Sequence, residues 1–169
     1  MSLRIVNYRP EHQPYFEKFN REWIEKLFEM EPVDEWVLTN PGPSILDTGG
    51  AILMAEFNGV PVGTVGLRKL DEVTWEFTKM AVDNNYRRMG IAKALSLASF
   101  EKAAELGAKE IILYSNTKNT GAVELYEQLG FTHLPVEQGI YKRANVKMMI
   151  SIEDALNRVK ENQVYAVTG

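Results

Sequence analysis

The fold of this chain is decided by one stretch, Trp75-Glu-Phe-Thr-Lys-Met-Ala-Val82-Asp-Asn-Asn-Tyr-Arg87-Arg-Met-Gly90-Ile-Ala92-Lys-Ala-Leu95. Its first part is rich in aromatic and β-branched residues and predicts a strand that ends at Val82. The Asp-Asn-Asn sequence that follows is typical of a turn. From about Arg87 onward, apolar residues recur at helical spacing. The stretch therefore predicts a strand, a turn and a helix in immediate succession.

The start of this predicted helix has the features of an anion-binding site. Gly90 falls within the predicted first turn, where glycine costs about 1 kcal/mol relative to alanine, so close approach of a ligand would explain it. A helix N-terminus offers unpaired N–H groups and the positive end of the helix dipole. Arg87 and Arg88 add positive charges suited to phosphate oxygens. The alternative is that Gly90 only permits close helix packing.

Two ordered motifs resemble those of the GNAT (GCN5-related) N-acetyltransferase superfamily. Arg87-x-x-Gly90-x-Ala92, placed after a strand that ends at Val82, resembles the loop with which that family binds the pyrophosphate of acyl-CoA. Asn119-x-x-Ala122-x-x-x-Tyr126-x-x-x-Gly130-Phe131 is similar to the family's second conserved segment, at the expected distance downstream. By this resemblance the chain is identified as a member of the superfamily.

The resemblance implies an α+β (mixed α/β) fold of the GNAT-like acyl-CoA N-acyltransferase type. Its central twisted sheet is mostly antiparallel, contains one splayed parallel strand pair and carries helices on both faces. The predicted elements agree with this order: an opening strand, helices, a hairpin around Asn58-Gly59 and a strand–helix–strand unit. The whole chain, residues 1–169, is predicted to form one GNAT-like domain.

Local signals predict several element boundaries. The region from Pro10 to Pro32 predicts two helices that meet near Asn20, with Pro32 ending the second. Asn40-Pro-Gly-Pro-Ser44 predicts a loop, and Gly107 predicts the end of the central helix. The C-terminal part predicts two strands joined by a turn and then a capped helix, over Phe131–Val136, Gly139–Ile150 and Ser151–Asn162.

Acetyl-CoA (coenzyme A) is the cofactor that the resemblance implies. A bulge near Lys79–Val82 would separate the central strand from the strand at Ile111–Tyr114, and the pantetheine arm would lie in this gap. The N–H of Met80 would then hold the thioester oxygen, and Asn119 would contact the pantetheine. The implied cofactor-binding residues are Met80, Ala81, Val82, Arg87, Arg88, Met89, Gly90, Ile91, Ala92, Asn119, Ala122 and Tyr126.

Two candidate catalytic residues follow from the same resemblance. Tyr126 stands where the family places a tyrosine that protonates the departing CoA thiolate. It lies about two helical turns after Asn119, on nearly the same helix face. Glu76 is an unusual strand residue, and in many family members a glutamate on this strand acts as the general base for the acceptor ammonium. The alternatives are a tyrosine packed in the core and a half-exposed glutamate paired with a lysine.

The composition excludes several other classes of function. A net charge of −4 over 169 residues argues against general binding to nucleic acid or to a membrane surface. No apolar run approaches the length of a membrane span and the N-terminus has no secretory pattern, so a cytoplasmic location is expected. The sequence has no cysteine and two histidines. We therefore predict no metal site and no acyl-cysteine intermediate.

These observations together predict an N-acetyltransferase that moves an acetyl group from acetyl-CoA directly to a primary amine in a ternary complex. The acceptor is expected to be a small amine, because six acidic residues between Glu22 and Glu35 would attract a cation. A solvated helix face is the simpler explanation of those acids. A homodimer is compatible with the sequence. The alternatives are a non-catalytic acyl-CoA-binding sensor or interaction module and a domain that binds the phosphates of another nucleotide.

Overall fold

The computed structural model describes residues 2–137 and 142–168, which form a seven-stranded sheet with helices on both faces. The strands are β1 Leu3–Asn7, β2 Ala51–Phe57, β3 Val60–Lys69, β4 Thr74–Val82, β5 Glu110–Ser115, β6 Thr132–Leu134 and β7 Val146–Ser151. The helices are α1 Gln13–Leu27, α2 Pro32–Thr39, α3 Ile91–Leu106, α4 Thr120–Gln128 and α5 Ile152–Thr168. No helix in the described ranges combines the length and apolar character needed to cross a membrane.

The strand order across the sheet is β1-β2-β3-β4-β5-β7-β6. Among the described residues every neighbouring pair is antiparallel except β4 and β5, which run parallel. This topology confirms the predicted fold class. The hairpin prediction is also confirmed, because Asn58 and Gly59 join β2 to β3 with φ angles of 51° and 83°, as a type I′ turn requires.

Helices cover both faces because side chains alternate between the two sides of each strand. In β2, Leu53 and Ala55 belong to the larger core, to which α3 and α5 also contribute. Ile52 and Met54 point the other way, into a second core that includes residues of α1 and α2. The sheet is therefore a middle layer between two hydrophobic cores.

The region before β2 differs from its prediction in three ways. Residues Gln13–Leu27 form one helix that runs through Asn20, because the Asn20 side chain is buried and satisfied within it: Nδ2 donates to the Phe16 carbonyl at 2.9 Å and Oδ1 accepts from the Trp23 indole at 3.0 Å. Pro32 begins α2 instead of ending a helix, since proline suits the first position of a helix. The predicted loop contains a short π-helical turn at Gly42–Leu46.

The central helix also begins later than predicted. A short 3₁₀ turn spans Asn84–Tyr86, and α3 begins at Ile91 instead of near Arg87. Gly90 is the residue that precedes the helix and has a φ of 77°. Its backbone therefore occupies the left-handed region that glycine enters without strain, which is a reason for glycine that the sequence did not reveal. The predicted end at Gly107 is confirmed.

The C-terminal elements follow their predicted order with different lengths. Both final strands are shorter than expected, and the predicted turn between them, around Gly139, lies outside the described residues. The Ser151 hydroxyl accepts a hydrogen bond from the Asp154 N–H at 3.1 Å, which is the predicted capping contact. Helix α5 continues past the predicted end at Asn162.

Candidate active site

The parallel strands β4 and β5 separate halfway along their length. They are paired from Thr74 with Glu110 to Phe77 with Leu113, and no further. Beyond this point, within the part of the chain that the structure describes, β4 is paired only with β3, and the end of β5 only with β7. The predicted splay of this pair is thus present, and it leaves a gap in the middle of the sheet.

A β-bulge turns β4 at the point where the gap opens. In the pairing with β3, Gly66 lies opposite Thr78 and Thr64 lies opposite Ala81, so the register shifts between them. Lys79 lies in this interval with a φ of 55°, an uncommon conformation for a residue with a side chain. A bulge of this kind redirects the backbone and frees main-chain groups from the ladder. It falls at the position that the family resemblance implied.

The gap opens into a cleft. Four of the residues singled out from the sequence line it together: Glu76 and Met80 on β4, Asn119 before α4, and Tyr126 on α4. Helix α1 and the residue that follows it add two aromatic residues to its wall, and the segment before β7 adds a cation. These contributors, which the sequence analysis did not identify, are Trp23, Phe28 and Arg143.

Tyr126 forms part of the buried wall of the cleft. Its ring packs edge-on against the rings of Phe77 and Phe131, with distances between ring centroids of 5.3 Å and 5.8 Å. Burial raises the pKa of the Tyr126 phenol, so the hydroxyl keeps its proton throughout the neutral range. Within residues 2–137 and 142–168 no hydrogen-bond partner is found for this hydroxyl. The tyrosine is both packed in the core and able to present a donor to the cleft.

Asn119 immediately precedes α4, at the position of a helix cap, but its side chain makes no capping hydrogen bond. The amide lines the cleft instead. Ala122, one turn further on, packs against the larger core and is absent from the cleft wall. Of the second predicted segment, Asn119 and Tyr126 therefore face the cleft, while Ala122 supports the helix behind them.

Glu76 is almost fully buried, with 1% of its side chain exposed. Its Oε1 atom accepts hydrogen bonds from Arg68 Nε at 3.2 Å and Nη2 at 2.8 Å. Arg68 lies directly opposite on β3, so the ion pair spans two neighbouring strands. The carboxylate is therefore held at the cleft wall by an arginine, and the half-exposed position of the expected alternative is wrong.

The predicted pyrophosphate loop lies beyond the end of β4 and is open. Residues 87–90 are all exposed, and a Cβ built on Gly90 would meet no atom within 4 Å. Arg88 has a φ of 61°. Ile91 is buried in the larger core and Ala92 is half-buried. The helix start is thus anchored by Ile91 while its N-terminal N–H groups remain accessible.

The last two residues of β4 connect the cleft to this loop. Ala81 is buried and lies opposite Thr64, whereas Val82 is partly buried and lies opposite Gly63. On the side facing away from β3 neither residue has a paired strand. A continuous path therefore runs from the cleft, along the unpaired edge of β4, to the start of α3.

A buried ionic cluster stands beside the cleft. Asp34 on α2 is fully buried and accepts hydrogen bonds from Lys79 Nζ at 2.9 Å and from Arg143 at 2.6 and 2.8 Å. The Glu31 N–H donates to the same carboxylate at 3.0 Å. Burial acts to raise the pKa of Asp34, but Arg143 and Lys79 together outweigh it and hold the pKa well below its usual range.

The acidic segment seen in the sequence does not form a uniform acidic rim. Glu31 and Asp34 pair with Arg143, and Glu35 pairs with Arg21. A separate, shallower pocket next to the end of α1 shares Phe28 and Arg143 with the cleft. Its wall mixes acidic and basic side chains: Glu25, Glu29 and Glu31 with Lys26, Lys118, Lys142 and Arg143. Much of the acidic charge is therefore used in ion pairs within the fold.

The chain belongs to the acetyltransferase (GNAT) family, whose sequence model matches residues 8–131. It is 33% identical over 109 residues to N-acetylaspartate synthetase of Xenopus tropicalis, and this alignment covers 64% of this chain and 38% of that protein. The chain spans well under half the length of the first curated relatives that it matches. The match to the family thus includes the split of the sheet and both predicted motifs.

Solved structures show the same fold. An acetyltransferase of the GNAT family from Staphylococcus aureus superposes with a TM-score of 0.79 at 23% identity, covering 89% of this chain and 99% of that one. Spermidine N-acetyltransferase from Vibrio cholerae, solved in complex with CoA and spermine, has a TM-score of 0.70 at 21% identity and covers 92% and 98% of the two chains. Coenzyme A is thus the cofactor seen bound in this fold.

Proposed function

We propose that this protein is an acetyl-CoA-dependent N-acetyltransferase whose acceptor is the primary amine of a small molecule. One observation carries the proposal: the cleft between the separated ends of β4 and β5 gathers Glu76, Met80 and Tyr126 around a single space. A carboxylate, a bulged main chain and a protonated phenol are the groups that acyl transfer from a thioester to an amine requires.

The residues present fit coenzyme A. The exposed cations Arg87 and Arg88 and the open start of α3 suit a diphosphate. The unpaired edge of β4 offers main-chain donors and acceptors to an arm that itself carries amide groups, and the Asn119 side chain stands beside it. When bound, acetyl-CoA supplies the acetyl group as an activated thioester.

Two side chains and one main-chain group then act on the reactants. Glu76 accepts a proton from the acceptor ammonium, directly or through one water, so that the amine becomes nucleophilic. The Met80 N–H donates to the thioester carbonyl oxygen as negative charge develops there. Tyr126 donates its hydroxyl proton toward the departing sulfur. Because the sequence contains no cysteine, the amine attacks the thioester directly and no acyl-cysteine is formed.

The acceptor is a small molecule in this proposal, because aromatic side chains at Trp23 and Phe28 line the cleft beside the candidate catalytic groups. A relative named for N-acetylaspartate and a fold neighbour named for spermidine support a small acceptor. The mixed charge of the pocket that adjoins the cleft at Phe28 and Arg143 favours an amine that also carries polar or anionic groups over a simple polycation.

A second candidate is a non-catalytic module that binds acyl-CoA. The ion pair between Glu76 and Arg68 favours it, since a carboxylate that already accepts two hydrogen bonds from one arginine has a structural role whether or not it also moves a proton. In this alternative the cleft and the helix start still bind the cofactor.

One experiment separates these functions. Release of free CoA thiol from acetyl-CoA is measured with a panel of amino acids, polyamines and amino sugars, and the affinities for CoA, ADP and ATP are measured by calorimetry. Amine-dependent thiol release with a matching acetylated product supports the transferase. Tight CoA binding without turnover on any amine supports the module. Tighter binding of ADP or ATP than of CoA contradicts both.

A further inference from the structure

Lys79 combines two features that are unusual in one residue. It lies in the bulge of β4 with a φ of 55°, although side chains rarely adopt this conformation and glycine is the residue that tolerates it. Its side chain is only 3% exposed, and its ammonium lies 2.9 Å from the Asp34 carboxylate. A lysine in such an unfavourable backbone conformation indicates that the contact at the end of its side chain has a specific role.

Asp34 is built as a junction with all its hydrogen-bonding capacity in use. Its two oxygens accept from Lys79, twice from Arg143 and once from the Glu31 N–H. Asp34 is outside the cleft wall, so it is not expected to touch either substrate. Its position on α2 is fixed because the Glu31 contact is part of the helix cap.

The two cations that meet at Asp34 come from opposite sides of the gap. Lys79 belongs to β4, whereas Arg143 belongs to the segment that leads into β7. That segment is attached to the end of β5: the Asn145 N–H donates to the Ser115 carbonyl at 3.0 Å, and the Asn116 side chain donates to the Arg143 carbonyl. Asp34 therefore bridges the two walls in the region where the strands no longer pair.

We propose that Asp34 and Lys79 are positioning residues for acyl transfer. Their ion pair fixes the bulge, so that the Met80 N–H, on the next residue, stays aimed at the carbonyl oxygen of the bound thioester. Arg143 completes the device by fixing the opposite wall to the same carboxylate. This inference rests on the proposed transferase function, because the bulge presents the Met80 N–H to the thioester only in that reaction.

The test compares Lys79→Met and Lys79→Gly with the wild-type protein. In Lys79→Met the ion pair is lost and the strained backbone is kept, and Arg143 still compensates the charge of Asp34. In Lys79→Gly the ion pair is lost while the backbone adopts φ > 0 freely. We expect both variants to lower kcat by about 10- to 100-fold, as for a misplaced transition-state donor. The CoA dissociation constant should stay within about twofold, since the diphosphate site is untouched.

Asn58→Gly is the matched control. Asn58 also has a positive φ, at 51°, but lies in the exposed hairpin between β2 and β3. This replacement, like Lys79→Gly, puts glycine at a position of positive φ, and it should leave kcat unchanged. If Lys79→Gly retains wild-type kcat, only the shape of the bulge matters and the ion pair has no positioning role. If CoA affinity falls in parallel with kcat in both variants, the role is structural and the proposal is overturned.

A second readout does not depend on turnover. The Met80 amide signal is followed by NMR in protein saturated with CoA or with acetyl-CoA, without an amine. In the wild type we expect a shift that acetyl-CoA causes and CoA does not, and we expect Lys79→Met and Asp34→Asn to abolish it. Absence of the shift in the wild type, or its persistence in Lys79→Met, overturns the proposal. A Lys79-dependent shift in a protein that acetylates no amine supports the positioning device and contradicts the transferase function.

Discussion

The two halves of β4 differ in how their backbone is paired. In the first half, Thr74–Phe77 pair with β5 and Trp75–Phe77 also pair with β3, and Trp75 and Phe77 pack in the larger core. Residues 78–82 have a strand on one side only, and this half contains the bulge. In the first half, main-chain hydrogen bonds join β4 directly to β5. In the second half, the two sides of the gap are joined by the buried Asp34 carboxylate, which binds Lys79 from one side and Arg143 from the other.

This difference teaches that one strand can separate stability from function along its length. The paired half joins the two parts of the sheet by ordinary ladder contacts, which need no particular side chain. The unpaired half exposes its main chain to the cleft and needs specific side chains, above all Lys79, to hold its shape. Substitutions in or around the unpaired half should therefore affect binding or turnover, and substitutions in the paired half should affect stability alone, except at Glu76, whose side chain lines the cleft.

The largest effect is expected from Asp34→Asn. Removing the charge takes away the fully buried carboxylate that Lys79 and Arg143 share, at a cost of about 3 kcal/mol or more at pH 7. Because folding holds the pKa of Asp34 below its ordinary value of 3.8, this stabilisation is complete above about pH 5 and is lost as the pH falls through and below 4. Urea unfolding at pH 7 and pH 3 measures the difference.

The control for Asp34→Asn is Asp154→Asn, which alters an exposed carboxylate at the start of α5. It should cost less than about 1 kcal/mol. A stability difference between wild type and Asp34→Asn that stays constant from pH 7 to pH 3 would contradict a charge-based role for Asp34.

The next effect concerns the wall of the unpaired half. Tyr126→Phe should lower kcat about 100-fold by removing the donor to the leaving sulfur, and should leave CoA affinity unchanged. The fold should persist, because the hydroxyl has no partner among the described residues. Steady-state kinetics with calorimetry measures both quantities, and Tyr15→Phe, on the exposed side of α1, is the control. Full kcat in Tyr126→Phe would exclude the acid role.

A smaller effect is expected beyond the end of β4. Arg88→Glu should raise the KM for acetyl-CoA by about 30-fold, because a charge-assisted contact to phosphate, worth about 1.5–3 kcal/mol, is replaced by repulsion. Unfolding by urea should be unaffected, since Arg88 is exposed. Arg4→Glu makes the same change on the edge strand β1 and should leave KM unaltered. An equal KM in both variants would remove the phosphate role from Arg88.

The smallest effect belongs to the paired half. The Thr74 hydroxyl donates to Glu110 on β5 at 2.9 Å. Thr74→Val keeps the shape and removes this bond, so it should lower the free energy of unfolding by about 1 kcal/mol. Both kcat and KM should stay at their wild-type values. A clear loss of turnover in Thr74→Val would break the division between the two halves of the strand.

The sequence predicted those parts of the fold that short-range signals determine. Asn58-Gly59 identifies its hairpin because the turn requires positive φ at both residues. The strand, turn and helix around Gly90 were also predicted. Gly90 itself, however, is the residue before the helix and adopts a left-handed conformation there, and it does not belong to the first helical turn. Pro32 was misread because proline both follows helix ends and suits the first helical position.

The parts that the sequence did not reveal depend on contacts between distant residues. Asp34 is separated from Lys79 by 45 residues and from Arg143 by 109. Nothing in the local pattern distinguishes Asp34 from the other acids of its segment, and only the packing of α2 against the sheet selects it. Asn20 likewise read as a helix boundary, because its buried hydrogen bonds to Phe16 and Trp23 exist only in the folded helix.

The contribution of β7 limits how far the chain can be shortened. The family match ends at residue 131, yet β5 takes its second neighbour from Val146–Ser151 and Asp34 takes two of its donors from Arg143. A truncation after Phe131 would leave β5 as a bare sheet edge and deprive the buried carboxylate of a counterion. The stretch matched by the family model is therefore smaller than the sheet, and the C-terminal segment is an integral part of the scaffold.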